Sequence, residues 1–259
     1  ASRGLGDVYK RQYSGWEMFG GLASISQGQG INILLNLFFG PMVNAARAVA
    51  YQIQTAVNHF VINFLMATRP QVIKSFAEHN YERMYSLTFK SARYSFFLML
   101  ALILPICFEL RFILNLWLGK ATPPDTYVFT LIILLLSLAE VFRVSMIMAF
   151  HAIGKMKLGN SLNGTIMILS LPISYAILKM GAPAYAVFIV LVIINITVMI
   201  DAYFIVYSYV HFNIRELLVG AVLPCVLVGA CSVIVPTAIV YLMAVSYTHL
   251  RAHETRSNL

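Results

Sequence analysis

Charge is what this 259-residue chain has least of: 11% of its residues are Asp, Glu, Lys or Arg, against about 25% in a soluble globular domain. Cysteine is scarce as well. Cys107, Cys225 and Cys231 are odd in number and show no C-x-x-C spacing, so neither a disulfide framework nor a thiolate metal site is indicated. His59, His79, His151 and His211 are scattered, with no pair at metal-ligand spacing on one helix. No G-x-x-x-x-G-K-[ST] phosphate loop and no nucleophile elbow occurs, which leaves nucleotide hydrolysis and serine chemistry without an apparatus. Neither a cofactor, an enzymatic activity nor a nucleic-acid partner is therefore expected. What the chain does have is apolar residues, 60% of the total, with a mean hydropathy of +0.80. That is the composition of an integral membrane protein.

The apolar residues fall into stretches of about 20, the length a bilayer-spanning helix requires. They run from about 19 to 39, 41 to 67, 94 to 110, 127 to 150, 158 to 178, 185 to 209 and 217 to 243. The second is closed by Arg69-Pro70, and Pro105 is a kink in the third. The expected fold is an all-α polytopic bundle of about seven transmembrane helices. No charged, periodic segment is long enough to build a soluble domain.

Both ends depart from this pattern. Residues 1–12 and 246–259 are abruptly polar and basic and resemble translated sequencing-adapter read-through, so they are set apart from the fold as a fusion scar would be. The chain is then expected to be a fragment whose true ends are missing. Without these residues, the formal charge of +8 falls to +5.

The most informative stretch is 29–58, QGINILLNLFFGPMVNAARAVAYQIQTAVN, where two apolar helices meet at Gly40-Pro41. On the second, Asn44, Arg47, Tyr51, Gln54 and Asn58 recur at steps of three and four and share one stripe. On the first, Gln29, Asn32 and Asn36 follow the same rule. Polar stripes cannot face hydrocarbon, so two of them on adjacent helices predict a wet cavity.

Ionisable groups inside spans are costly and therefore candidates for function. They are Arg47, Glu140 and Arg143, and Asp201. Glu140 and Arg143 are three apart and can pair along their own helix. Arg47 has no carboxylate three or four residues away, so its partner is distant in sequence, a carbonyl or a bound anion. Asp201 lies off the centre of its span and is a candidate ion or proton site.

Eight Lys and Arg, from Arg69 to Arg215, fall in the connections after spans two, four and six, against four after spans one, three and five. The positive-inside rule places the first set in the cytoplasm. Within it, residues 71–91 put Ile73, Phe76, Met84 and Leu87 on one face and Lys74, Glu78 and Glu82 on another. They read as an amphipathic helix lying on the inner leaflet and connecting two spans.

The pattern QG-N-LLN-FFGP-VNAAR-A-YQ, the RPQ-IKS segment with the ERM that follows, and ILNLWLG before an outward turn resemble the polysaccharide transporters of the multidrug/oligosaccharidyl-lipid/polysaccharide exporter superfamily. The resemblance covers residues 13 to 245 and is nearest to O-antigen or lipopolysaccharide-repeat flippases of Bacteroidetes. It implies a MATE-like transporter with two six-helix lobes around a central cavity. The second lobe would be residues 13–215 and an additional helix residues 216–245, the N-terminal lobe of the same protein being absent.

The implied activity is translocation of an undecaprenyl-pyrophosphate-linked oligosaccharide across the bacterial inner membrane by alternating access. Arg47 and Arg143 would then meet the pyrophosphate, and Gln29, Asn32, Asn36, Asn44, Tyr51, Gln54 and Asn58 the glycan. Glu140 or Asp201 would carry a coupling ion. Membrane lipids, a polysaccharide polymerase and other assembly proteins are the implied partners. A cation-coupled multidrug antiporter of the same superfamily and a non-transporting scaffold of envelope polysaccharide assembly are the alternatives.

Overall fold

The structure, a computed structural model, describes residues 2–234 apart from 155, 212 and 213, with the backbone alone at 2–13, 120 and 156. Among the described residues there are helices and turns and no strand. The helices are α1 (Ser2–Phe39), α2 (Pro41–Ala77), α3 (Tyr81–Phe108), α4 (Leu110–Leu118), α5 (Thr126–Ile153), α6 (Met156–Lys179) and α7 (Ala186–Tyr209). A last helix, α8 (Ile214–Ile234), contains a π turn at Leu218–Val222.

Five of these, α3, α5, α6 from Lys157, α7 and α8, are long and apolar enough to cross a membrane. The chain is a multi-pass membrane protein. The count of five differs from the seven read from the sequence because α1 and α2 fall outside it. Both are diluted by the same side chains that mark them: Gln27, Gln29, Asn32 and Asn36 on one, Asn44, Arg47, Gln54 and Asn58 on the other.

The expected surface helix over 71–91 does not form. Residues 71–77 continue α2 and residues 81–91 begin α3, which starts well before the expected Tyr94. Pro70 sits inside α2 rather than ending it. At 1.5 Å per residue the 37 residues of α2 span about 55 Å, well beyond an apolar bilayer core of about 30 Å. The real stop is at 78–80. His79 takes a left-handed φ of 57°, and the Asn80 side chain accepts a hydrogen bond from the Arg83 amide at 3.0 Å. Asn and His tolerate that backbone and Asn is a favoured cap, so these two residues turn the chain where Pro70 does not. Replacing Asn80 by Ala is expected to cost about 1 kcal/mol, read as a lower thermal midpoint in detergent.

Five helices form a ring. α1 packs along α6, α6 on α7, α7 on α5 and α5 on α2, while α2 returns to α1 only sparsely, so the ring is most open there. α3 covers the outside of α2 and α5, and α8 packs on α3. The Arg93 side chain of α3 donates to the Gly220 carbonyl of the π turn at 3.3 Å, tying α8 in place. Small residues let the ring close. A Cβ at Gly159 would fall within the Phe150 ring, and one at Gly30 would collide with Leu171. Phe129 and Phe188 meet between α5 and α7 with ring centroids 4.9 Å apart, buried with Ile31, Leu35 and Ala50. Short α4 buries Leu110 and Leu114 and leaves Phe112, Leu116 and Trp117 exposed.

Candidate functional site

The ring encloses a cavity of about 280 Å³ lined by side chains from α1, α2, α5, α6 and α7. From α2 come Arg47, Tyr51, Gln54 and Asn58, which lie at steps of four, three and four and so share the inward face. From α5 come Glu140 and Arg143, with Ile133 and Leu136. Ser24, Gln27, Gly28 and Ile31 of α1, Met167 of α6, and Leu191 and Asn195 of α7 complete the wall.

Arg47 is 7% exposed. One terminal N–H donates to the Asn32 side-chain oxygen, and the guanidinium carbon lies 4.5 Å from the Tyr51 ring centroid. A desolvated cation over an aromatic face gains up to about 2 kcal/mol, which offsets only part of the cost of burying a charge. Arg47 makes no ion pair among the described residues, and its Nε is buried without a hydrogen-bond partner. Its partners are thus neutral, Asn32 on the neighbouring helix and Tyr51 on its own.

Arg143 differs in having a carboxylate. It donates to Glu140 Oε1 within the same helix, an ion pair with side chains 12% and 29% exposed, and its Nε is also without a partner. Two guanidiniums against one carboxylate leave the wall with one positive charge in excess. Deleting only Glu140 would leave two partly buried cations on one cavity. Glu140→Ala is expected to cost about 2 kcal/mol, and Glu140→Ala with Arg143→Ala less than the sum of the singles, measured as a double-mutant cycle of unfolding midpoints.

The remaining polar groups are amides and hydroxyls. Gln54 Nε2 donates to Ser137 Oγ at 2.9 Å, and that hydroxyl donates to the Ile133 carbonyl at 2.9 Å. Gln27 Nε2 bonds the Met167 carbonyl at 3.2 Å and Ser170 Oγ at 3.0 Å, joining α1 to α6. Asn195 Nδ2 donates to the Leu191 carbonyl at 3.0 Å.

The other sequence candidates lie elsewhere. Asn44 Nδ2 donates to the Asn32 carbonyl at 3.0 Å, and Asn32 Nδ2 donates to Gln29 Oε1 at 3.2 Å, so these residues brace the α1–α2 turn beside the cavity. Gln29 and Asn36 are exposed and outside the cavity wall. The α1 face that does line it, through Ser24, Gln27, Gly28 and Ile31, is about a third of a turn round the helix from the expected stripe. Asp201 is half-buried on α7 and outside the wall, with Oδ2 buried and unpartnered. Ser24, Gln27 and Asn195 were not singled out as site residues. The spacing 24-27-28-31 carries a helical period, but only two of its four members are polar.

Among the described residues no group of three or more His, Cys, Asp or Glu could hold a metal ion. No family model, no curated protein and no solved structure matches the chain.

Proposed function

We propose that the chain is part of a flippase that moves an undecaprenyl-pyrophosphate-linked oligosaccharide across the bacterial inner membrane by alternating access, for O-antigen, capsule or exopolysaccharide synthesis. The observation that supports this most is the cavity wall itself. It carries an excess positive charge, two arginines with unengaged Nε–H groups, and a lining of amides and hydroxyls. Guanidinium matches pyrophosphate oxygens two at a time. Amide and hydroxyl groups exchange hydrogen bonds with a glycan at small net cost. The lipid tail need not enter, since it can stay in the bilayer beside the opening between α1 and α2.

On this reading α1, α2 and α8 are the first, second and seventh crossings, and the wall is one half of a cavity completed by an N-terminal lobe. Arg47 and Arg143 hold the pyrophosphate, and Tyr51, Gln54 and Asn58 face the glycan. Asn32 and Asn44 act through Arg47. Glu140 and Asp201 are the carboxylates available to a coupling ion.

The test uses cells that lack their own flippase but still make a lipid-linked repeat unit, expressing the full-length gene. Export of the unit is the expected result; continued accumulation on the cytoplasmic leaflet with well-folded protein would count against the reading. One observation favours the cation-coupled antiporter of the same superfamily, namely the unpartnered buried oxygen of Asp201. Cation-driven drug efflux lost in Asp201→Asn, in cells where the repeat unit still accumulates, would support it.

A further inference from the structure

Below the cavity, the inward stripe of α2 continues from Asn58 through Ile62 and Leu65 to Arg69, still at steps of four, three and four. The matching face of α5 continues through Val144 and Ile147 to His151. Between them lies a second, separate crevice of about 130 Å³ with almost entirely apolar walls and these two polar side chains at its end. Ile62 and Met66 on its rim are 46% and 57% exposed, so the crevice is open rather than packed shut. The neighbouring Thr68 hydroxyl is already satisfied by the Leu65 carbonyl at 2.9 Å.

Arg69 Nη2 lies 3.1 Å from His151 Nδ1. Arginine has donors only, so Nδ1 accepts and the imidazole is neutral, with its proton on Nε2. The partner therefore cancels none of the guanidinium charge. Among the described residues Arg69 makes no ion pair; the pairs there are Lys74–Glu78 and Glu140–Arg143. Glu17 of α1 forms no ion pair with either residue. The end of the crevice thus presents one uncompensated charge and at least two further N–H donors, directly beyond a strip of exposed hydrocarbon. That combination complements an anionic head on an acyl chain.

We propose that this crevice binds an anionic glycerophospholipid, its phosphate on Arg69 and His151 and one acyl chain along Ile62, Met66, Val144 and Ile147. The site is distinct from the central cavity and does not depend on what that cavity transports. It lies at the end that the Lys and Arg bias assigns to the cytoplasm, where the inner leaflet supplies such lipids.

The test is retention of added lipid by the full chain in detergent, read by native mass spectrometry. The probes are dioleoylphosphatidylglycerol, its phosphatidylcholine counterpart and inorganic phosphate. Wild type is expected to retain the anionic lipid roughly tenfold better than the zwitterionic one, and Arg69→Gln to lose that preference. Arg69→Lys should keep part of it, and His151→Phe should weaken it. Lys179→Gln should leave it unchanged, because that residue lies at the other end of the bundle, at the close of α6. Ile62→Ser should lower retention without altering charge, which tests the acyl contact even where Arg69→Gln fails to fold. Equal retention of the two lipids by wild type, or full preference in a folded Arg69→Gln, would overturn the proposal. So would displacement of the lipid by an equal concentration of inorganic phosphate, since the chain would then contribute nothing.

Discussion

On the proposed function, cells that carry Arg47→Ala in place of the wild-type protein are expected to retain the lipid-linked repeat unit on the cytoplasmic leaflet almost as fully as cells with no flippase. The side chain removed is the one cavity cation with no carboxylate of its own. Two charge-assisted hydrogen bonds to a pyrophosphate contribute about 3 kcal/mol together, which is roughly a hundredfold in rate if they are made at the barrier. Arg47→Lys keeps the charge and loses the planar fork, so about a tenfold loss is expected. Removal of a buried, uncompensated cation relieves a desolvation cost, so the Ala variant should fold at least as well as wild type. Export at wild-type rates in Arg47→Ala would remove Arg47 from the mechanism, whatever the cavity carries.

The second large effect is on folding. Gly159→Leu should abolish recovery of folded protein, because its side chain would have to occupy the volume of the Phe150 ring. That ring is buried in one cluster with Met84, Met146 and Ala149. Overpacking of this kind costs about 3 kcal/mol or more, comparable with a large part of the stability of an ordinary domain. Phe150→Ala by itself leaves a void and should also destabilise, while the two changes together should recover part of what each loses. Size-exclusion yield and thermal midpoint in detergent measure all three variants. A double variant no better than Gly159→Leu would show that α5 and α6 do not pack as described.

The α2 stripe was legible because five polar residues recur on it at helical steps within an otherwise apolar stretch, and all but Asn44 line the cavity. The Glu140–Arg143 pair was legible for the same reason, since a separation of three brings side chains together on one helix. On α1 the conspicuous amides misled. Gln29, Asn32 and Asn36 form as regular a stripe as any, but they turn toward the α2 junction and the outside. The cavity face uses Ser24, Gln27, Gly28 and Ile31, of which only Ser24 and Gln27 are polar, so the face does not read as a polar stripe. The bond between Gln54 and Ser137 crosses 83 residues, and no local period encodes it. The turn at 78–80 was hidden behind Pro70. Proline usually ends a helix by removing an amide donor and crowding the carbonyl four residues back. At Pro70 that loss falls on one exposed side of a long helix, whereas at Asn80 a cap and a left-handed residue act together.

The bond from Arg47 to Asn32 has one more implication. α1 and α2 leave Gly40, whose φ of 82° is open to glycine alone and whose surroundings hold nothing for a side chain to strike. Beside the Arg47 bond, Asn44 donates to the Asn32 carbonyl and Ile31 and Leu35 of α1 are buried with Ala46 and Ala50 of α2, while Gln27 ties α1 to α6. The Asn32 side-chain bond is one of two that cross from α2 to Asn32, and its N–H belongs to the same guanidinium an anion would seek. On the proposed function, an anion bound at Arg47 would compete with Asn32 for that N–H. Occupancy of the cavity would then be felt at the junction of the two helices as well as at the binding site.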